Sequence, residues 1–337
     1  MLYLASRLPD DRARLPWPRP VWPRKGTRQS CASRASYEGV TVVRRREFVT
    51  SLGVLVLETA AVYAAAPTTL GGRLRRLTAP GTGDNRATYL PDGTALLFAS
   101  RRTGRSQIWT MDPDGGDPRR LYESAANDYG RVAPSPDGTR LSFSSDRSGQ
   151  NVVYVLDTRR GTITPISDPM AWSFGPSWSS RDRIAFFSRQ GGNRLNIWTV
   201  SPDGSDRQQV TNRPGESRQP WWSPDGTTLA FSADNGTERF QVRLAAANGA
   251  DGRALTRTGN WQQPFWSPDG LRLAASAELG SIGFQILLID ADGARVQRIQ
   301  QQEGDNVHPA WSPDGRSIVF TAGRDNGSAL WRFDFPA

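Results

Sequence analysis

The chain has 337 residues, of which 37% are hydrophobic and 22% charged, with 33 glycines and 24 prolines. So turn-rich a composition is still too apolar and aromatic for a disordered chain, and no three- or seven-residue period supports collagen or a coiled coil. One cysteine, Cys31, and one histidine, His308, exclude intramolecular disulfides, Cys-rich metal sites and multi-His centres.

The net charge of +9 is concentrated at one end. Residues 1–66 hold 11 basic and 5 acidic side chains, whereas residues 67–337 hold 31 and 28. The bulk of the protein is therefore nearly balanced, and nucleic acid is not an expected partner. Its positive charge is carried by arginine, since the single lysine is Lys25.

Residues 1–40 contain a Pro/Arg/Trp-rich run from Pro16 to Lys25 with no periodicity. They read as an extension, either disordered or lying upstream of a true start near Val42. Residues 41–66 read as an export signal. Arg44-Arg45-Arg46-Glu47-Phe48-Val49 precedes an apolar stretch from Leu52 that ends in Ala64-Ala65-Ala66, a small-x-small cleavage pattern. The paired arginines with Phe48 and Val49 resemble a twin-arginine signal; an uncleaved N-terminal anchor is the alternative. Glu58 and the shortness of the stretch argue against a spanning helix. The expected location is periplasmic or secreted.

From residue 67 onward the dominant feature is a repeat. Trp-Ser-Pro-Asp-Gly occurs at Trp222–Gly226, Trp266–Gly270 and Trp311–Gly315, with degenerate copies starting at Tyr89, Pro134 and Trp178. Successive starts are 45, 44, 44, 44 and 45 residues apart. After each turn comes a short apolar run ending in a small hydroxylated residue, such as Leu96–Ser100 or Ile318–Thr321. A second apolar run follows, such as Ile108–Met111, then a turn and a short last segment such as Gln209-Val210-Thr211. Runs this short, bounded by Gly, Pro and Asp, are strands joined by hairpins. Four strands in ~44 residues make a propeller blade.

The fold class is therefore all-β, a six-bladed β-propeller with four antiparallel strands per blade over residues 67–337. The sixth unit stops after its third strand, Leu330–Phe333, while Arg76-Leu77-Thr78 matches Gln209-Val210-Thr211 at the same distance before its unit. The N-terminal strand is expected to complete the last blade and close the ring.

These units resemble the propeller repeats of the TolB family, most closely at Trp311–Gly315 and at Ile108–Gly115, across about 74–337. The resemblance implies a bacterial envelope protein with a protein or lipoprotein partner docked over the propeller mouth. The expected organisation departs from the family in lacking the α/β domain that precedes its propeller. No cofactor and no metal is expected. A monomer is expected, with no stable transmembrane domain in the mature chain.

The carboxylates of the repeated turns, Asp92, Asp137, Asp225, Asp269 and Asp314, read as turn residues. Asp112–Glu123 has calcium-loop length, but Asp117 stands where the loop needs glycine. Nucleophile motifs are absent. His308 shares its place in the repeat with Arg86, Arg131, Gly175, Gln219 and Gln263, a varying position of the kind that lines a channel. Trp178, Trp222, Trp266 and Trp311 share one register and are expected in the core. Trp172 and Trp261 do not recur and fall before a first strand, beside Phe174 and Gln262, so they are expected on an exposed loop face.

The expected binding face at the channel mouth therefore comprises Asp84, Arg86, Tyr129, Arg131, Trp172, Phe174, Arg218, Gln219, Trp261, Gln263, Asn306 and His308. Its mixture of aromatics, arginines and amides suits a non-catalytic protein-binding module of the cell envelope. The alternative is a carbohydrate-binding propeller, or a carbohydrate-active lyase or hydrolase, using the same mouth.

Overall fold

The computed structural model describes residues 67–336, apart from 235, 238, 250, 251 and 324–326. The extension and export signal expected in residues 1–66 lie outside the described residues. The described chain forms six antiparallel blades around a central channel. The innermost strands are Asn85–Tyr89, Asp128–Pro134, Ser173–Trp178, Ser217–Trp222, Trp261–Trp266 and Asn306–Trp311.

Each innermost strand turns back through the repeated hairpin. In blade four, Ser223 Oγ donates to Asp225 Oδ1 at 2.6 Å, and the Thr227 amide donates to the same oxygen at 3.0 Å. The chain then reverses through Gly226 at φ 68°, a conformation that costs a residue without a Cβ nothing. Blade three has no such glycine. Asp182 takes the left-handed place at φ 57°, and its carboxylate accepts from Trp178 Nε1 at 2.9 Å.

Second strands such as Leu96–Ser100, Ile184–Ser188 and Ser317–Ala322 are buried at every residue. A blade is covered on both faces by its neighbours, so these strands need continuous apolar runs rather than alternation. The resulting cores bridge blades. One of them joins Phe98 of blade one, Leu288 of blade five and Phe320 of blade six.

The N-terminal strand closes the ring. Arg73–Arg76 pairs antiparallel with Ala329–Asp334, from Arg73 opposite Asp334 to Arg76 opposite Trp331. The contact continues through the expected Leu77 and Thr78. The Leu77 amide donates to Leu330 O at 2.8 Å, and the Leu330 amide donates to Thr78 Oγ1 at 3.0 Å. Ser167, Thr211 and Thr256 accept from Val153, Ile197 and Val242 in the same way at 2.9–3.0 Å. The borrowed strand therefore uses the lock of the native fourth strands.

One element was not foreseen. Thr68–Leu70 adds a fifth, parallel strand to blade five, alongside Val296–Ile299. The N-terminal segment thus ties down two neighbouring blades.

Candidate functional site

All six innermost strands are broken by a β-bulge. The residues at the bulges are left-handed: Arg86 at φ 56°, Gly130 at 77°, Gly175 at 62°, Gln219 at 56°, Gln263 at 60° and His308 at 56°. Four of these carry side chains, and each such residue costs about 1–3 kcal/mol. Strain of this kind persists where surrounding structure holds it, and bulges re-aim side chains. Here the hold comes from the neighbouring blade. Thr321 Oγ1 accepts from the Arg86 amide at 3.0 Å, Ser144 Oγ from Gly175 at 3.1 Å, and Ser232 Oγ from Gln263 at 3.0 Å. These hydroxyls belong to the repeated small residue near the end of each second strand.

The amide side chains extend the ring. Gln219 Oε1 accepts from the Gln263 amide at 3.1 Å, and Gln263 Oε1 accepts from the His308 amide at 2.8 Å. Glycine is required in blade three, since a Cβ on Gly175 would lie 2.6 Å from Phe187 Cε1.

Arg86, Arg131 and His308 meet within this ring. Burial lowers the Arg86 pKa to about 10 with help from Arg101, and lowers that of Arg131 to about 9 with help from Arg86. Burial, then the charges of Arg86 and Arg131, push His308 well below 6.5, so its imidazole is neutral at pH 7. Arg86 donates to Asn85 Oδ1 at 3.1 Å and sits 6.0 Å from the Phe174 ring centre. Arg131 sits 5.1 Å from the Trp221 ring and 4.9 Å from Phe265, cation–π geometry.

Aromatic residues gather beside Arg86. Trp172 stacks on Phe174 at 5.5 Å and 8°, leans on Phe187 at 5.8 Å, and Tyr129 lies 6.4 Å from Phe174. Trp172 is thus half-buried in an aromatic row and not the free loop aromatic that its sequence position suggests. Arg218 turns aside to Glu216 and the Phe240 ring.

Three expected members of the face are not on it. Asp84, Trp261 and Asn306 are buried, as are Asp128, Ser173 and Ser217 at the corresponding place in the other blades. Asp84 pairs with Arg102 at 2.7 Å and Asp128 with Arg147 at 2.9 Å. Each of these arginines also donates through Nε to a serine of its own blade, Ser100 or Ser145, at 3.0 Å. Asn306 donates to Gln302 O at 2.7 Å and Gly304 O at 2.9 Å. Trp261 fills the core of blade five and donates to Thr258 O at 2.9 Å. The position is internal whatever residue occupies it, so a lone tryptophan there marks packing.

Trp221 and Phe265 were the residues missed. Their rings, on the first strands of neighbouring blades, stack at 4.1 Å, and Trp221 packs against three of the blade cores. The signal was available. Their register otherwise holds Thr88, Ala133, Ser177 and Ala310, and two large aromatics among small residues stand out. They floor a cavity of about 270 Å³ that opens among the repeated turns at the other end of the channel. Its walls include Trp178, Trp222, Trp266 and Trp311, with the turn prolines Pro224, Pro268 and Pro313.

Residues 123–278 match the TolB beta propeller domain. The chain is 39% identical over 66 residues to the Tol-Pal system protein TolB of Nitratidesulfovibrio vulgaris, a stretch covering 20% of this chain and 15% of that protein. The chain therefore spans well under two thirds of that relative. Among solved structures, a TolB-type protein from Agrobacterium tumefaciens superposes with a TM-score of 0.61 at 20% identity, covering 76% of this chain and 91% of that one. An oligogalacturonate lyase in complex with manganese superposes with a TM-score of 0.55 at 16% identity, covering 81% and 95%. These likenesses in structure concern the fold.

Proposed function

The chain is a TolB-like β-propeller, and from that premise we propose that it is a non-catalytic protein-binding module of the bacterial cell envelope. The observation that carries this reading is the mouth: the Trp172–Phe174 stack with Tyr129 and Arg86 beside it. Aromatic and arginine side chains are the usual anchors of protein interfaces. Conversely, an imidazole held well below its ordinary pKa is a weak base at neutral pH, which supports binding over acid–base catalysis at this mouth. No helix among the described residues is long and apolar enough to cross a membrane. In keeping with the TolB relatives, the proposed site of action is the periplasm, with an envelope protein or lipoprotein as partner.

The test is capture of partners from envelope extracts by the full chain and by its Phe174→Ala variant. A protein held by the parent and lost, by about tenfold or more, from a folded Phe174→Ala variant is the expected result. Identical recovery by both forms removes the mouth from the reading. A soluble acidic or neutral glycan that competes with capture moves the assignment to the carbohydrate-binding alternative.

A further inference from the structure

Arg86 and Arg131 stand on the innermost strands of neighbouring blades, near enough for the charge of Arg86 to lower the Arg131 pKa, and no carboxylate among the described residues pairs with either. Among the described residues, the side-chain hydrogen bonding of the pair is limited to Arg86 donating to Asn85 Oδ1, and Arg131 meets the faces of Trp221 and Phe265. Elsewhere this chain handles half-buried arginines differently: Arg102 and Arg147 each hold a buried aspartate at 2.7–2.9 Å. Two neighbouring guanidinium groups without a counter-charge repel one another and lose part of their hydration, an arrangement that costs the folded protein stability. His308 adds an independent sign. Its Nδ1 is shut off from solvent and has no hydrogen-bond partner among the described residues, although buried polar atoms are nearly always satisfied. Arg86 and His308 stand on left-handed bulge residues, and Arg131 directly follows the left-handed Gly130 within the bulge of blade two.

We propose that Arg86, Arg131 and His308 form an oxyanion site, and that its occupant is a carboxylate carried into the channel mouth by the protein partner. The assignment of the occupant rests on the protein-binding reading above; the existence of the site does not. The carboxylate chemistry fits each donor. A guanidinium presents parallel N–H groups that match the two oxygens of a carboxylate. A neutral imidazole protonated at Nδ1 offers one further N–H without adding charge. The route is fixed by the floor. Trp221 and Phe265 stack against each other and under Arg131, separating the arginine pair from the apolar cavity at the far end. An anion therefore enters from the mouth, past Phe174 and Tyr129. An acidic side chain or a chain terminus on a partner loop has the size and charge for this; a hydrophobic segment does not.

The experiment needs no partner. The Tm of the full chain is followed as sodium acetate or inorganic phosphate replaces sodium chloride at constant ionic strength. The same series is run on Arg131→Met and on Arg316→Met, an exposed control. The parent and the control should gain stability with acetate over chloride, in a saturable way, because a ligand that binds only the folded state stabilises it. Arg131→Met should lose that gain while melting no lower than the parent in chloride, since an unpaired charge has been removed. Absence of any acetate-specific gain in the parent overturns the site, as does an equal gain in Arg131→Met. Saturation by phosphate at concentrations about tenfold lower than acetate overturns the carboxylate assignment in favour of a phosphorylated ligand. None of these outcomes depends on partner capture, so failure of the protein-binding reading stays distinguishable from failure of the anion site.

Discussion

Blades one and five begin their innermost strands at the same place in the repeat and fill that place in opposite ways. Blade one puts Asp84 there and neutralises it with Arg102, which is also bound to Ser100. Blade five puts Trp261 there and surrounds it with Leu273, Ala275 and Leu287. Both side chains are almost fully buried. An ion pair with supporting hydrogen bonds and a packed indole are thus alternative fillings of one internal space. Two residues further along, variation between blades has a different meaning. Arg86, Gln219, Gln263 and His308 sit on bulges and meet the channel. Irregularity within a repeat therefore marks function only where the register faces open space.

The largest effect expected concerns the closure on which every blade depends. Deleting Leu74–Thr78 removes most of the fourth strand of blade six and its Thr78 lock. A loss of several kcal/mol, a large part of the roughly 5–15 available to a domain, is expected by denaturant unfolding. An unchanged unfolding midpoint would break the closure.

Next comes the indole of blade five. Trp261→Ala should cost about 3–5 kcal/mol in the same measurement, the range for emptying an aromatic core site. A cost within roughly 0.5 kcal/mol, normal for a surface position, would return Trp261 to the binding face. The ionic filling has its counterpart in blade two, where Asp128 also accepts from Tyr122 Oη. Asp128→Ala leaves Arg147 without its carboxylate and Tyr122 Oη without the acceptor at 2.8 Å. Breaking a buried pair from one side costs about 3–5 kcal/mol; the 25% exposure of Arg147 places the expectation at the lower end, about 3. Replacing Asp128 and Arg147 together with apolar residues should cost less than Asp128→Ala alone.

The smallest effect is a pH dependence at a turn. Burial alone would raise the Asp137 carboxyl, but hydrogen bonds from Ser135 and Thr139 outweigh it and hold the pKa at about 2 rather than 3.8. The unfolded chain then binds this proton before the folded one does. The stabilisation is complete above pH 3.8 and is lost as pH falls toward 2. Asp137→Asn should flatten that part of the acid unfolding profile. An identical profile in the two proteins would show that the turn does not hold the carboxylate.

The repeat spacing, the hairpin turns and the borrowed last strand were all legible in the linear order of residues, because each is set by local chain geometry. Pro-Asp-Gly closes a hairpin wherever it occurs, and a 44-residue spacing counts blades without reference to their packing. Arg76-Leu77-Thr78 announced the closure for the same reason, since it repeats a fourth-strand pattern. The parallel strand at Thr68–Leu70 had no such counterpart, and only its neighbour in blade five explains it. Tertiary structure alone decided which places in the first strand face the core and which the channel. A blade stands edge-on to the axis, so its strands show no polar–apolar alternation that would reveal a channel face. The bulge shifts the facing again by one residue, or by two in blade two. For that reason Trp261 and Trp221, both irregular tryptophans of similar context in the sequence, ended in opposite roles. One fills a core, and the other floors the channel beneath Arg131.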